Sequence, residues 1–340
     1  MSSYKNIYYP LYARNGLHSF LKHIPHSKKD RILVPSYSCG DEIQAVIESG
    51  FSVEPYRIKT DNLEIDAEDL KKKMIGNVRG IIITHYFGFP QRETEKICHL
   101  AEKKGLFVIE DCAHLLFDGG FKLSGSAAIF SLRKFFQVPD GGVLIVDGRK
   151  YGIEDYKFKK APPAAVSFDE KIYSLMKSGR IIPGTTIKEI YKSEGESIKE
   201  YGPRLGKWGG YSLGMPVESV KKIKKSEMRR IRSERKKFYR SYVDFFQEKK
   251  FKEIKPVFGY FDSKVTPLFF PVIYKRNDIG RIRKKLSKLG NIVRPFWEHT
   301  HPAVDRKKFK EAGFLKDHIF ILPMSGNLKS VFGVINDVFV

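Results

Sequence analysis

A carboxylate, two imidazoles, several hydroxyls and one amine stand just beyond short apolar runs in the first half of this sequence. Ser36 and Ser38 follow RILVP, His85 follows GIIIT, Asp111 and His114 follow LFVIE, and Ser131 and Lys134 follow AAIF. Singly, each has an ordinary use. Asp111 suits a helix N-cap, His85 a hydrogen-bonded loop and Ser131 a turn, while Lys134 is one of 62 basic residues that normally face water. Together they match the demands of one chemistry. A lysine amine forms a Schiff base with an aldehyde, and a carboxylate beside a pyridine nitrogen keeps that nitrogen protonated. The protonated ring draws off electrons when a substrate loses its α-proton. A hydrogen-bond donor near the ring hydroxyl and a phosphate cup complete such a site. Residue types and order therefore point to pyridoxal phosphate (PLP).

For these side chains to meet, the runs before them must be strands of one sheet. The pattern predicts strands at 31–37, 51–58, 79–88 and 106–111, with helices at 41–50, 67–74 and 94–105 between them. Two more apolar runs follow at 127–132 and 141–147. Strand, helix and strand at this spacing predict a mostly parallel sheet covered on both faces. In such sheets ligands bind beyond the carboxyl ends of the strands, where the reactive residues lie. Residues 151–210 change character, with Pro and Gly clusters interrupting short helical stretches. One long charged amphipathic helix is predicted from Glu218 to Lys249. A βαβ-like tail follows, with strands at 265–275, 291–295 and 318–324, a helix at 277–290 and a terminal helix. The expected organisation is a large domain over 1–217 with an N-terminal arm, a linking helix over 218–249 and a small α+β domain over 250–340.

With 340 residues and 41% hydrophobic content, the chain can bury a large core, and its length suggests two domains. No apolar run approaches the ~20 residues of a membrane-spanning helix. The opening MSSYKNIYYPLYARNG lacks the apolar core of a signal peptide, so a cytoplasmic location is expected. Cys39, Cys98 and Cys112 are too few and too scattered for a disulfide framework or a zinc site, and no metal is expected. The formal net charge of +23 invites a nucleic-acid reading. Its excess is spread over 221–237, 281–290 and 305–313, each legible as the wet face of a helix. Zinc-finger spacing and an RNP-like aromatic strand are absent, so nucleic acid is not the expected partner.

The stretch 31–147 resembles the sugar aminotransferase family called DegT/DnrJ/StrS, a branch of the fold type I PLP enzymes. The likeness runs through ILVPSYS (32–38), DNLEIDAEDL (61–70), RGIIITHYFGFP (79–90), LFVIEDCAH (106–114), SAAIFSL (126–132) and KFFQVPDGG (134–142). It implies an aspartate-aminotransferase-like large α/β domain with a small C-terminal α+β domain. It also implies roles. Lys134 would carry the cofactor, Asp111 would face the pyridine nitrogen, His114 the ring hydroxyl and Ser131 the phosphate, with His85 close to the cofactor edge. The implied reaction is ping-pong transamination from an amino acid, with glutamate the usual donor, to a keto-sugar, nucleotide-linked, for a polysaccharide or glycoconjugate. A homodimer is implied by the resemblance alone.

Four departures from the family pattern qualify this. Only Ser131, Leu132 and Arg133 separate Phe130 from Lys134, two residues fewer than usual. The small-residue phosphate turn is replaced by Arg14-Asn15-Gly16-Leu17-His18-Ser19, where the backbone N–H groups of Gly16 and Leu17 are expected to bind phosphate. Cys39 stands where an aromatic residue commonly stacks on the ring, leaving Tyr37 as a substitute. Gly210-Tyr211-Ser212-Leu213-Gly214 lacks the Asn and Arg that reach a neighbouring subunit's site. Arg294, Trp297 and His299 are candidates for shaping the substrate pocket instead. The alternatives are a catalytically divergent or silent homologue, or another PLP reaction such as sugar dehydration. In dehydrating relatives a His replaces the lysine, so Lys134 argues against the last.

Overall fold

The computed structural model describes residues 5–118, 121–136, 138, 140–151, 158–159, 210–288, 294–297 and 300–339. Strands β1 (Lys5–Tyr8), β2 (Arg31–Pro35), β3 (Ser52–Tyr56), β4 (Val78–Thr84), β5 (Phe107–Asp111), β6 (Ala127–Ser131) and β7 (Gly142–Asp147) form one sheet in the order β1-β7-β6-β5-β4-β2-β3. Neighbours from β3 through β6 pair in parallel, and β7 runs antiparallel to both β6 and β1. The mostly parallel sheet expected from the apolar runs is therefore present.

Period-two alternation along the strands explains the layers. Leu33, Ile81, Ile83, Val108, Phe130 and Ile145 point into one core. Ile32, Val34, Ile82, Ile109, Ile129 and Leu144 point into the other, where helices α1 (Ala13–Lys22) and α2 (Asp41–Glu48) cover them. Ile81, Ile82 and Ile83 are all fully buried, each contributing about 1.5–3 kcal/mol. This is why GIIIT shows no polar face in sequence. Helices α3 (Ala67–Lys73) and α4 (Thr94–Lys103) seal the first core with Leu70, Ile97 and Ala101.

The predicted long helix is two: α5 (Val217–Lys222) and α6 (Lys225–Lys249). The chain is extended at Ile223 and Lys224, which lets Ile223 pack against the main core instead of continuing the wet face. The βαβ-like tail is likewise corrected. Strands β8 (Ile254–Pro256), β9 (Phe270–Tyr274), β10 (Arg294–Pro295) and β11 (Ile319–Leu322) form a sheet in the order β10-β11-β9-β8, antiparallel throughout. Helix α7 (Ile279–Lys288) matches its prediction, and α8 (Lys310–His318) and α9 (Leu328–Phe339) complete the described elements. Phe270, Val272, Phe320 and Leu322 join the same core as Ile81 and Val108, so the two sheets share apolar packing.

One contact fixes the entrance to α1. The Gly141 and Gly142 N–H groups both donate to the Leu11 carbonyl, at 3.0 and 3.2 Å. A Cβ on Gly142 would lie 2.4 Å from the Tyr12 carbonyl carbon. Only a residue without a side chain allows that approach. Gly142→Ala should therefore destabilise the protein by about 1–3 kcal/mol, measured as a lower urea midpoint at unchanged slope; an unchanged midpoint would contradict this close packing.

Candidate active site

Lys134 reaches the carboxyl edge of the sheet through a single 3₁₀ turn, Leu132–Lys134, that starts directly after β6. The Leu132 N–H donates to the Gly141 carbonyl at 2.7 Å, and the Phe135 N–H to the Leu132 carbonyl at 2.9 Å. A tight turn thus carries the chain from β6 to Lys134, which lies within electrostatic reach of Cys39, Asp111 and Glu42. Burial pushes its amine below the ordinary lysine range. Arg133 adds to that, while Cys39, Asp111 and Glu42 oppose it. A lowered amine has more of the uncharged, nucleophilic form.

Asp111 ends β5 almost fully buried. Its Oδ1 accepts from the Ala113 N–H at 2.9 Å. Burial raises its carboxyl above the usual range, against the pull of that N–H, Lys134 and His85. His114 lies 2% exposed nearby. Its Nδ1 accepts from the Phe87 N–H at 3.2 Å, so the neutral ring carries its proton on Nε2. Burial, then Lys134, drives His114 well below the ordinary histidine value, which leaves a neutral donor beside the lysine. The turn that supplies this N–H is unusual. Phe87 and Gly88 both have positive φ, 55° and 102°, and the Phe89 N–H donates to Tyr86 O at 2.9 Å. A positive φ at a bulky residue costs roughly 1–3 kcal/mol. Here it is held by His114 on one side and by Leu268, whose N–H donates to Phe87 O at 2.8 Å, on the other.

The end of the site near Ser131 needs a correction. Helix α1 begins at Ala13, three residues earlier than the motif reading placed it. The Gly16 N–H is already spent on Tyr12 O at 3.3 Å, and Leu17 is wholly within the core. Gly16 instead serves packing, since a Cβ there would meet Leu144 Cβ at 3.0 Å. The amides at the start of α1 are those of Ala13 and Arg14, following the N-cap Tyr12. Ser131 pairs with Gly142, and Gly142 lies against Tyr12. Ser131 is therefore linked to the start of α1 through Gly142, and its hydroxyl makes no capping bond to the turn after it.

His85 is not drawn into the Lys134 cluster by any hydrogen bond among the described residues. Its Nδ1 accepts from the Gln91 N–H at 3.0 Å and its Nε2 faces Glu110 Oε2 at 3.2 Å. Glu110 in turn accepts from the Ser124 and Gly125 N–H groups. His85, Glu110 and Cys112 converge within 4.8 Å, but both imidazole nitrogens already have partners. Strand parity held the signal: His85 continues the Ile81–Ile83 face, whereas Asp111 follows Phe107 and Ile109 on the opposite one.

Cys39 directs its thiol to Glu42 Oε2 at 3.0 Å. Tyr37 is buried beside Trp297, ring centres 5.0 Å apart. Trp297 also lies 5.3 Å from the His114 ring, with φ 53°. His299 falls outside the described residues, as does the Arg294 side chain. The 210–214 segment packs on the start of α1: the Leu11 N–H donates to Leu213 O at 2.8 Å, and Tyr211 stacks on His18. Residues missed in the sequence are Arg14, which bonds Asp41 at 3.3 Å, and Glu42. A charged residue two positions past the buried Gly40 turn was the available signal for Glu42.

The architecture occurs in known structures. S. venezuelae DesV, in complex with a ketimine intermediate, superposes with a TM-score of 0.66 at 17% identity, covering 97% of this chain and 84% of that one. Ntda from Bacillus subtilis with bound cofactor PMP gives 0.69 at 14% identity, covering 98% and 73%. The fold is therefore the aspartate-aminotransferase-like one. Residues 13–147 match the model of the DegT/DnrJ/EryC1/StrS aminotransferase family. The GDP-perosamine synthase of Escherichia coli O157:H7 is 26% identical over 156 residues, 42% of this chain and 42% of that protein. The chain thus matches less than half the length of that relative.

The buried His114 gives a pH test. As pH falls through about 6.5, the unfolded chain takes up a proton that the folded ring refuses, so stability falls with pH in that window. Compared with His114→Gln, the wild type should lose up to about 1.4 kcal/mol per pH unit between pH 6.5 and 5. Urea unfolding of both proteins across that range checks it; a constant difference would mean that His114 contributes packing alone.

Proposed function

We propose that this chain is a PLP-dependent aminotransferase that moves an amino group from an amino acid, with glutamate as donor, to a nucleotide-linked keto-sugar. The observation that carries the reading is the convergence of Lys134, Asp111 and neutral His114 at the end of the parallel sheet. The surroundings fit the cofactor. Buried oxygens with no hydrogen-bond partner include Tyr37 Oη, Glu42 Oε1 and Thr84 Oγ1, all in or beside the β2, β4 and β5 ends. Native proteins seldom leave such atoms unsatisfied without a ligand or catalytic use.

In this reading Lys134 would hold PLP, Asp111 would face its ring nitrogen and His114 would donate to its ring hydroxyl. Ser131 and the Ala13 and Arg14 amides would take its phosphate, favoured by the positive end of α1. Bound PLP supplies an electron sink for the negative charge left when a substrate α-proton departs. Lys134, once free, would move that proton as base and then acid. Its lowered amine suits both roles.

The nucleotide-linked substrate is supported by the name of the GDP-perosamine synthase relative, and biosynthesis of a polysaccharide or glycoconjugate is the matching setting. A homodimer is part of the proposal. Val217 and Val220 on α5, with Ile7 and Tyr9 at the β1 edge, are exposed apolar side chains that an interface would cover. Among the described residues no helix is long and apolar enough to cross a membrane, and we place the enzyme in the cytoplasm. The three-part division at 217 and 249 remains part of this reading.

Adding PLP to the purified protein should produce a visible absorbance that borohydride fixes covalently, with Lys134→Ala showing no fixed label. Glutamate should then bleach the unreduced wild type. Absence of any fixed chromophore in the wild type would remove the transaminase reading and leave a catalytically silent homologue.

A further inference from the structure

Glu42 belongs to no motif in the sequence and to no role described above, yet it is the least supported acid in the site. It lies in the first turn of α2, 3% exposed. Its Oε2 receives the weak Cys39 thiol at 3.0 Å, and no donor reaches its buried Oε1 with full hydrogen-bond geometry. An ionised carboxylate wants donors on both oxygens, and a buried one without them is costly. Asp111 is the acid whose charge acts on it. Two buried carboxylates side by side cannot both ionise without penalty.

We propose that Glu42 is a positioning residue that stores a proton behind Asp111, so that Asp111 alone presents a negative charge to the cofactor site. This rests on the PLP reading of the site, and its structural half stands without it. The division of the proton follows from the donors. Asp111 has the Ala113 N–H at 2.9 Å and the attraction of Lys134 and His85. Glu42 has the Cys39 thiol, with Ser38 adding a weaker bond. Burial, then Asp111, pushes the Glu42 carboxyl up to about 7. Other groups facing it act in known directions. Lys134 from the 3₁₀ turn favours its ionised form. Tyr56 from β3 and Tyr86 after β4 are neutral phenols raised by burial. Cys39 stays a thiol for the same reason. The pair therefore holds one proton near neutral pH as a coupled unit, and Glu42 is where it rests.

The consequence is a site whose charge changes by one near working pH at a residue one step removed from the ring. With Glu42 protonated, the pair carries one negative charge. Ionised, it adds a second that strengthens proton binding by Lys134 and by any group bound beside Asp111. Glu42→Gln keeps the shape and fixes the neutral state.

The first test needs no cofactor. Folded wild type keeps the Glu42 proton up to about pH 7, whereas the unfolded chain releases it near 4.5. Wild-type stability therefore falls with rising pH between those values relative to Glu42→Gln. The ratio of the two folding constants should shift by up to about tenfold per pH unit across that window and level off above it. Infrared titration of the protonated-carboxyl band in wild-type apoprotein reads the same proton without a variant. A pH-independent stability ratio, or no carboxyl titrating above pH 6, would overturn the proposal. The second test is the visible spectrum of PLP-loaded protein against pH. Its titration midpoint should fall by about one unit in Glu42→Gln, tenfold in proton affinity, while borohydride labelling persists. Coincident midpoints would also overturn it. If neither protein binds PLP, the cofactor reading fails, and the stability ratio still decides whether Glu42 holds the proton.

Discussion

The hydrogen bond from the Leu132 N–H to the Gly141 carbonyl, at 2.7 Å, closes the turn on which the whole site depends. It holds β6 and β7 together where they would otherwise splay, and it forces the chain into one 3₁₀ turn that ends at Lys134. Gly141 adopts φ 100° there, and a Cβ on it would strike Leu132 Cβ at 2.8 Å. Its neighbour Gly142 lets Tyr12 pass at contact distance. Two adjacent glycines thus set both ends of the site. One aims the lysine, and the other links the start of α1 to Ser131.

Within that frame, desolvation outweighs mutual attraction. Were Lys134 and Asp111 a simple ion pair, each would stabilise the other's charge, raising the amine and lowering the carboxyl. Both move the opposite way, and burial is the leading cause for each. Their charges are incompletely compensated by the protein alone. Such an arrangement is costly as bare structure, yet suited to a group that brings its own charge and hydrogen bonds. The neutral His114 follows the same logic, since a cation there would compete with Lys134.

How much of this was legible in the sequence depends on what encoded each part. The strands were legible, because GIII and FVI are fully buried on both faces and read as unbroken apolar runs. The order Asp111, His114, Ser131, Lys134 was legible because the strand ends carry it. The start of α1 was not, since Tyr12 offers no capping side chain and no acidic residue marks the first turn. That is why the expected phosphate donors fell three residues late. The break at Ile223 was hidden by charges that suit a helix on either side, and only tertiary packing of Ile223 decides it. Antiparallel pairing in the second sheet was hidden for a similar reason: βα spacing fixes element order, and direction comes from packing. Glu42 was invisible, because an acid in a helix's first turn is ordinary and becomes unusual only when Asp111 is found beside it.

Strain and unmet hydrogen bonding gather at the same edge. Of the four non-glycine residues with positive φ among those described, Phe87 and Trp297 flank the His114 ring. The orphaned oxygens of Tyr37, Glu42 and Thr84 belong to the ends of β2 and β4 and the start of α2 that surround Asp111. Each such feature costs roughly 1–3 kcal/mol, and several together would unfold a chain whose net stability is only about 5–15 kcal/mol. They persist because the edge is bolted to two large apolar cores whose strands cannot shift register without turning buried side chains to water. The rigidity of GIIIT and its neighbours therefore does more than form a sheet: it lets this edge keep groups poorly matched to one another until a ligand completes them.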